Sequence, residues 1–351
     1  MRPSRRDKAE RSSSVDLAAL ADYVEQFPSR TVVLLGDFVA DEFRFGEISR
    51  VSREAPVLIL RHRETQVLPG GGANAANNLS ALGARVLPVT VVGDDAAADA
   101  LIAHFKSKGV NVSGIVRVKG RTTPTKTRYL AGWAHTVSQQ VLRVDREPQP
   151  LPPATQQKVG KLLQAKLRSA DALAVSDYGF GAASPELVRR VTSRHKNLTV
   201  TLDARYHMAL YAKAGVTAAT PNEGELETLH HTSIGRDLEE LERCGRTTLS
   251  EMKLKALIVT RGRDGMTLFE RSGRVYHISI HGSSQAVDVT GAGDTVLAAY
   301  TLALASGASF LEAAHLANIA GGLVVMKRGT ATVSREELLE AIRREAAGES
   351  S

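Results

Sequence analysis

Short apolar runs rich in valine, isoleucine and leucine recur along the chain, separated by segments long enough for a helix. They are Thr31 to Leu35, Val86 to Val92, Ala172 to Val175, Leu198 to Leu202 and Leu257 to Thr260. A strand that is apolar at every position must be buried on both faces. Helix-like stretches that can cover those faces run from Ala73 to Leu82, Ala96 to Lys108, Pro185 to Arg194, Gly291 to Ala305 and Phe310 to Met326. The pattern predicts an α/β fold: a mainly parallel central sheet flanked by helices on both faces.

Two stretches break the alternation. Residues 43–68 and 114–145 mix apolar and polar positions, as exposed antiparallel strands do. They are predicted to pair into a small β flap, or lid, over one end of the main sheet. A proline-rich connector, Glu147 to Pro153, follows. The expected organisation is an N-terminal extension over 1–28, partly disordered, one domain over 29–345, and a disordered tail over 346–351.

Composition narrows the class of molecule. At 43% hydrophobic and 24% charged, the chain is globular, and it holds no apolar run long enough to span a bilayer. Its single cysteine, Cys244, rules out a disulfide scaffold, and no HExxH spacing marks a zinc site. The basic start lacks the apolar stretch of a signal peptide, so a cytoplasmic location is expected. Part of the net charge of +7 lies in Arg2, Arg5, Arg6, Lys8 and Arg11, a solvated tail. With aromatics at 5% and no interleaving of basic and aromatic residues, nucleic acid is not the expected partner. A positive balance also draws in small phosphorylated substrates.

Local motifs indicate the chemistry. Asp288-Val289-Thr290-Gly291-Ala292-Gly293-Asp294 opens an apolar helix. The amides of Gly291, Ala292 and Gly293 are expected as unpaired donors at its start, where an anion is favoured. Asp294 in that first turn can take a proton from a hydroxyl and aim the oxygen at phosphorus. A plain glycine turn with a first-turn acid is the alternative. A second loop, Pro69-Gly70-Gly71-Gly72-Ala73-Asn74, opens another helix; Asn74 carries an amide suited to sugar hydroxyls. Neither loop has dinucleotide-binding spacing, and no Walker A motif is present.

Asp37 ends the first strand, where ligands of open α/β sheets bind, and is expected to accept hydrogen bonds from a polyol. Asp41 follows four residues on. In Pro221-Asn222-Glu223-Gly224-Glu225, the amide of Asn222 and the carboxylate of Glu225 can hold a hydrated Mg²⁺ or simply cap a helix. Thr260-Arg261-Gly262 reads as a nucleotide loop or a hairpin turn.

Taken together, GGGAN early, PNxxE in the middle and DVTGAGD late resemble the signatures of the PfkB (ribokinase-like) carbohydrate kinases, across roughly residues 30 to 345. Ser49 to Val57, Thr125-Lys126-Thr127-Arg128, Gln139 to Asp145 and Ser176-Asp177-Tyr178 are more closely similar to D-glycero-β-D-manno-heptose-7-phosphate kinases. So is the stretch from Ala317-Asn318 to Ser334. That resemblance implies ATP-dependent phosphorylation of the anomeric hydroxyl during ADP-heptose synthesis for lipopolysaccharide. No HxGH nucleotidyl-transfer motif is seen, so a kinase-only protein is implied. Related kinases carry SDYAKG and DPK, where this chain has Phe180 for a lysine and Asp203-Ala204-Arg205.

The resemblance implies roles for single residues. Asp294 is the base, and the Gly291–Gly293 backbone stabilises the transferring charge. Asn222 and Glu225 organise Mg²⁺ through water, with Glu223 and Gly224 beside them. Asp37, Asp41, Gly70, Gly71 and Asn74 hold the sugar. Thr260, Gly262 and Asn318 face the nucleotide, and Asp288 adjoins a monovalent cation such as K⁺. Arg50, Lys126, Arg128 and Arg205 are candidates for the substrate phosphate. A kinase for another sugar or nucleoside, and a non-catalytic sugar or nucleotide sensor, stay open as alternatives. A homodimer formed through the lid strands is a further expectation.

Overall fold

A computed structural model of the chain describes residues 15–132, 139–282 and 285–348. The chain opens with helix α1 (Leu17–Glu25), then strands β1 (Thr31–Gly36), β2 (Phe38–Val51) and β3 (Leu58–Gly71). Helix α2 (Gly72–Ala81), β4 (Arg85–Val92), α3 (Ala96–Ser107), β5 (Ile115–Arg117), β6 (Thr125–Gly132) and β7 (Gln139–Arg146) follow. Next come α4 (Pro153–Lys166), β8 (Ala172–Asp177), α5 (Pro185–Thr192), β9 (Thr199–Ala204), β10 (Ala218–Ala219), α6 (Glu223–His230) and α7 (Leu238–Glu251). The chain closes with β11 (Ala256–Thr260), β12 (Met266–Glu270), β13 (Val275–Ile278), α8 (Ala292–Ala305), α9 (Phe310–Val324) and α10 (Arg335–Ala346).

Among the described residues, nine strands form the main sheet in the order β13-β12-β11-β10-β9-β8-β1-β4-β5. It is parallel from β5 to β11, and only β12 and β13 run antiparallel. Successive side chains of a strand point to opposite faces. Val32 and Leu34 of β1 therefore join one buried cluster, with α2, α8 and α9, while Val33 and Leu35 join the other, with α4, α5 and α7. α8 carries apolar residues all round and is buried along nearly its whole length.

The lid is a separate four-stranded sheet in the order β3-β2-β6-β7. β2 follows directly from β1 and β3 runs directly into α2, so the lid grows out of the first glycine loop. The expectation of wholly antiparallel pairing is corrected: β2 and β6 run parallel. The second expected lid segment also began too early. Ile115–Arg117 pairs with β4 as an edge strand of the main sheet, because its spacing from β4 suits a parallel crossover. Residues 133–138 of that segment lie outside the described residues.

The expected N-terminal extension differs most. Leu17, Leu20, Ala21 and Val24 repeat at helical spacing, Asp16 caps the helix through the Ala18 N–H, and Leu20, Val24 and Phe27 are fully buried. From residue 15 onward this segment is thus part of the domain. The basic residues Arg2 to Arg11 and residues 349–351 lie outside the described residues. Helices α4 and α10 were also not expected, because each buries only a narrow stripe and is otherwise polar.

Candidate active site

The two glycine loops meet. Gly71 begins α2 with φ of +55° and Gly291 begins α8 with φ of +79°, values that favour glycine. Asn74 Nδ2 donates to Asp294 Oδ2 across 2.8 Å, joining residues 220 positions apart. A Cβ on Gly291 would overlap that Asn74 amide, so the glycine is what permits the approach. Asn74 Oδ1 in turn accepts from Asn78 Nδ2 at 3.2 Å, and Thr295 Oγ1 donates to Asn78 Oδ1 at 2.8 Å. Both ends of the Asn74 amide are thus engaged. The amide oxygen keeps a second lone pair, so the sequence expectation that it meets a sugar hydroxyl stands beside the bond that holds Asp294.

Asp294 is 4% exposed. Burial pushes its carboxyl up to about 7, and Asp41 adds to the rise; Asn74, Tyr178 and Lys126 pull the other way. A carboxylate held near neutrality is suited to accept a proton at physiological pH. The first turn around it departs in one respect from expectation: the Ala292 N–H donates to Val289 O at 3.3 Å and is not free. Gly293 has no such backbone partner described, and its open Cα faces Asp203 Oδ2.

Asp37 is corrected. Its Oδ2 accepts the N–H groups of Tyr178 (3.0 Å) and Phe180 (2.9 Å), and its Oδ1 accepts Ala182 N–H (2.8 Å). The carboxylate is 2% exposed and backbone N–H groups take three of its four lone-pair positions, so it holds the turn after β8 rather than facing a polyol. Asp41 takes the other position. It packs against Gly70, where a Cβ would overlap its carboxylate, and Arg128 donates to its Oδ1 at 2.6 Å.

Lys126 pairs in register with Asp41 and shares a lid face with Arg128. Its ammonium lies 5.4 Å from the centre of the Tyr178 ring, and burial lowers its pKa. Arg205 lies 5.7 Å from the Tyr206 ring and close enough to Lys126 to lower its pKa further. Arg50 is not brought to this group. It sits exposed near the outer end of β2, nine residues past Asp41, about 30 Å away at the rise of an extended strand.

Asn222 and Glu225 form a reciprocal capping box at the start of α6: Asn222 Oδ1 accepts Glu225 N–H at 2.8 Å, and Glu225 Oε2 accepts Asn222 N–H at 3.0 Å. Both readings of the motif are therefore compatible, since one Glu225 oxygen stays outside the box. Burial raises the Glu225 carboxyl. Asp203, at the end of β9, is raised well above its ordinary value by burial and then by the charges of Glu225 and Asp294. Among the described residues no three histidine, cysteine, aspartate or glutamate side chains form a cage for a metal ion. This donor set suits Mg²⁺, which keeps several waters and phosphate oxygens and needs few protein ligands. Glu223 is engaged by Arg261 at 2.9 Å, and Gly224 lines a cleft of about 660 Å³ on the outer side of Glu225.

A cavity of about 300 Å³ lies on the far side of the Gly291 loop, lined by Thr260, Gly262, Val289, Ala292, Gly293 and Asn318. Asn318 is itself tied down, donating to Ser279 O at 2.7 Å. Asp288 accepts the N–H groups of Thr290 and Gly329, each at 2.9 Å. Burial would raise its carboxyl, but these bonds hold it below its ordinary value, so it is anionic.

Sequence reasoning missed Asp203, Asn78 and Thr295. It assigned no role to Tyr178, whose hydroxyl donates toward Asp294 Oδ1 at 3.4 Å. Asn78 carried a signal: it stands one helical turn after Asn74, on the same face.

The chain matches the family described as pfkB family carbohydrate kinase over residues 30–337. It is 40% identical over 311 residues to the bifunctional protein HldE of Geobacter sulfurreducens, covering 88% of this chain and 62% of that protein. It is 38% identical over 336 residues to the bifunctional protein HldE of Paramagnetospirillum magneticum, covering 94% and 67%. Among solved structures, the fold is similar to Arabidopsis thaliana ribokinase complexed with ribose and ATP (TM-score 0.69, 21% identity, 90% of this chain and 98% of that one). It is also similar to Escherichia coli phosphofructokinase-2 in complex with substrates and products (TM-score 0.70, 18% identity, 90% and 99%). No helix among the described residues is long and apolar enough to cross a membrane. The glycine loops that meet at Asp294 thus lie within a ribokinase-like fold, and the chain belongs to the pfkB family of carbohydrate kinases.

Proposed function

We propose that this chain transfers the terminal phosphoryl group of ATP to the anomeric hydroxyl of D-glycero-β-D-manno-heptose 7-phosphate, acting in the cytoplasm on the way to ADP-heptose. The observation that carries the phosphoryl-transfer part is the 2.8 Å bond from Asn74 to Asp294, which sets the sugar loop and the phosphate loop at one point. Asp294 removes the proton from the acceptor hydroxyl as its oxygen bonds to phosphorus and the bond from phosphorus to the bridging oxygen of the leaving ADP breaks. The Gly293 N–H and the start of α8 face the charge on the transferring group.

Asp41 accepts from sugar hydroxyls, with Gly70 and Gly71 allowing the sugar to approach the backbone. Asn222 and Glu225, with Asp203 behind them, would hold Mg²⁺ through its waters; the ion supplies charge neutralisation between the phosphates. Thr260, Gly262 and Asn318 would line the nucleotide. A K⁺ ion beside Asp288 fits that anionic carboxylate.

The substrate reading rests on the similarity to the HldE relatives and on two lid cations that can meet a sugar phosphate: Lys126, close enough to act on the Asp294 carboxyl, and Arg128, bonded to Asp41. The second reading, a kinase for another sugar or sugar phosphate, is favoured by two departures. Phe180 puts no charge where related chains have lysine, and Arg205 is drawn toward Tyr206. Turnover on heptose 7-phosphate, fructose 6-phosphate and ribose separates the two: a preference of at least a hundredfold for the heptose is expected, and preference for either other sugar overturns it.

The lid leaves Val51, Val57, Leu58, Val141, Leu142 and Val144 exposed. Pairing of two lids would cover them and bring Arg50 toward a second subunit. Light scattering that gives a monomer at working concentration would overturn that assembly.

A further inference from the structure

We propose that Tyr178 is the positioning residue for the base: its hydroxyl fixes the second oxygen of Asp294, so that the carboxylate presents one defined lone pair to the incoming sugar hydroxyl. The proposal rests on the kinase reading above and assigns a role within it.

The geometry is specific. Asn74 holds Oδ2 of Asp294 from one side, at 2.8 Å. A single donor leaves a carboxylate able to rotate about its Cβ–Cγ bond. The Tyr178 hydroxyl reaches Oδ1 from another side, at 3.4 Å. That distance is long for an O–H···O bond, and such contacts in substrate-free sites shorten when the acceptor closes the site.

Tyr178 is itself held firmly. Its N–H and that of Phe180 are bound by Asp37 Oδ2, and Ala182 N–H by Asp37 Oδ1. Asp177 Oδ1 accepts Gly179 N–H at 2.8 Å, while its Oδ2 accepts the Tyr211 hydroxyl at 2.7 Å. The ring lies under Gly71, where a Cβ would come within 3.2 Å of Cε2, and under the Lys126 ammonium. Two buried carboxylates thus brace a turn whose one side chain at the site ends on the base. This gives Asp37 the function its burial denied it as a sugar ligand.

The groups facing Asp294 are Asp41 from β2, Lys126 from β6, Asp203 from β9, Asn74 from α2 and Tyr178. Of these, Tyr178→Phe removes one hydroxyl and leaves the ring in place. The experiment measures kcat and KM for ATP and for the sugar acceptor between pH 5.5 and 9, with calorimetric ATP binding alongside. The expected result is a kcat/KM for the acceptor about tenfold lower, an acid limb moved to higher pH, and unchanged ATP affinity. The limb moves up because the lost donor had favoured the ionised carboxylate. An unshifted limb with kcat within twofold of the unsubstituted enzyme overturns the proposal. If the unsubstituted chain phosphorylates no sugar, the kinase reading fails and this role fails with it, an outcome the ATP-binding arm distinguishes from misfolding.

Discussion

Asp294 and Asn74 are bonded through Oδ2 and Nδ2 at 2.8 Å, and no other donor of the sugar loop is seen on that carboxylate. Burial keeps the Asp294 pKa at about 7. Asp294→Asn should lower kcat by about 10³, the range of a positioned general base, while the fold is retained. A coupled ATP assay with circular dichroism checks this; a loss under tenfold would remove Asp294 from the role.

The same raised pKa predicts a stability effect. An aspartate with a pKa of 3.8 unfolded and about 7 folded binds its proton more tightly in the folded state. Its contribution is fully favourable below pH 4 and is lost as pH rises to 7. Asp37, also pushed to about 7 by burial and then by Asp177, adds to this trend. Histidines 104, 230 and 315, lowered by burial, act in the opposite direction up to about pH 6.5. The difference in melting temperature between Asp294→Asn and the parent isolates the aspartate. It should grow in favour of the variant from pH 5 to pH 8.

Gly291→Ala should abolish turnover, because its methyl group occupies the position of the Asn74 amide. It also carries the cost of a left-handed backbone, about 1–2 kcal/mol. Gly120→Ala is the control: φ there is +76° and nothing lies within 4 Å of the added carbon. Gly291→Ala should lose more stability than Gly120→Ala by denaturant titration, and only the first should lose activity.

Asp37→Ala leaves three N–H groups without their acceptor, at about 1 kcal/mol or more each. A stability loss of about 3 kcal/mol is expected from urea unfolding. Were Asp37 a sugar ligand instead, the acceptor KM would rise with stability unchanged.

Glu225→Gln keeps an oxygen for the capping box, so α6 should hold. The Mg²⁺ concentration for half-maximal turnover should rise about tenfold, in the range found for groups that orient a metal's ligands. An unchanged requirement would confine Glu225 to capping.

Local signals carried much of the architecture. Continuous apolar runs dictate doubly buried strands, and β1, β4, β8, β9 and β11 formed where those runs lie. Positive φ favours glycine, so the turns at Gly71 and Gly291 were readable from residue type. Where the stripe was narrow, as in α4 and α10, or the strand only three residues long, as in β5, the pattern fell below what a linear reading resolves.

The pair Asp37 and Asp41 marks the boundary. Both are aspartates within six residues of the first strand, Asp37 between β1 and β2 and Asp41 inside β2, and nothing in their neighbours tells them apart. Only packing of the turn at residues 178–182, about 140 positions later, surrounds Asp37 with N–H groups, while Asp41 meets Gly70 and Arg128 instead. Backbone conformation is a property of neighbouring residues and is written locally. Which carboxylate is taken up by backbone N–H groups depends on donors that only the closed fold delivers.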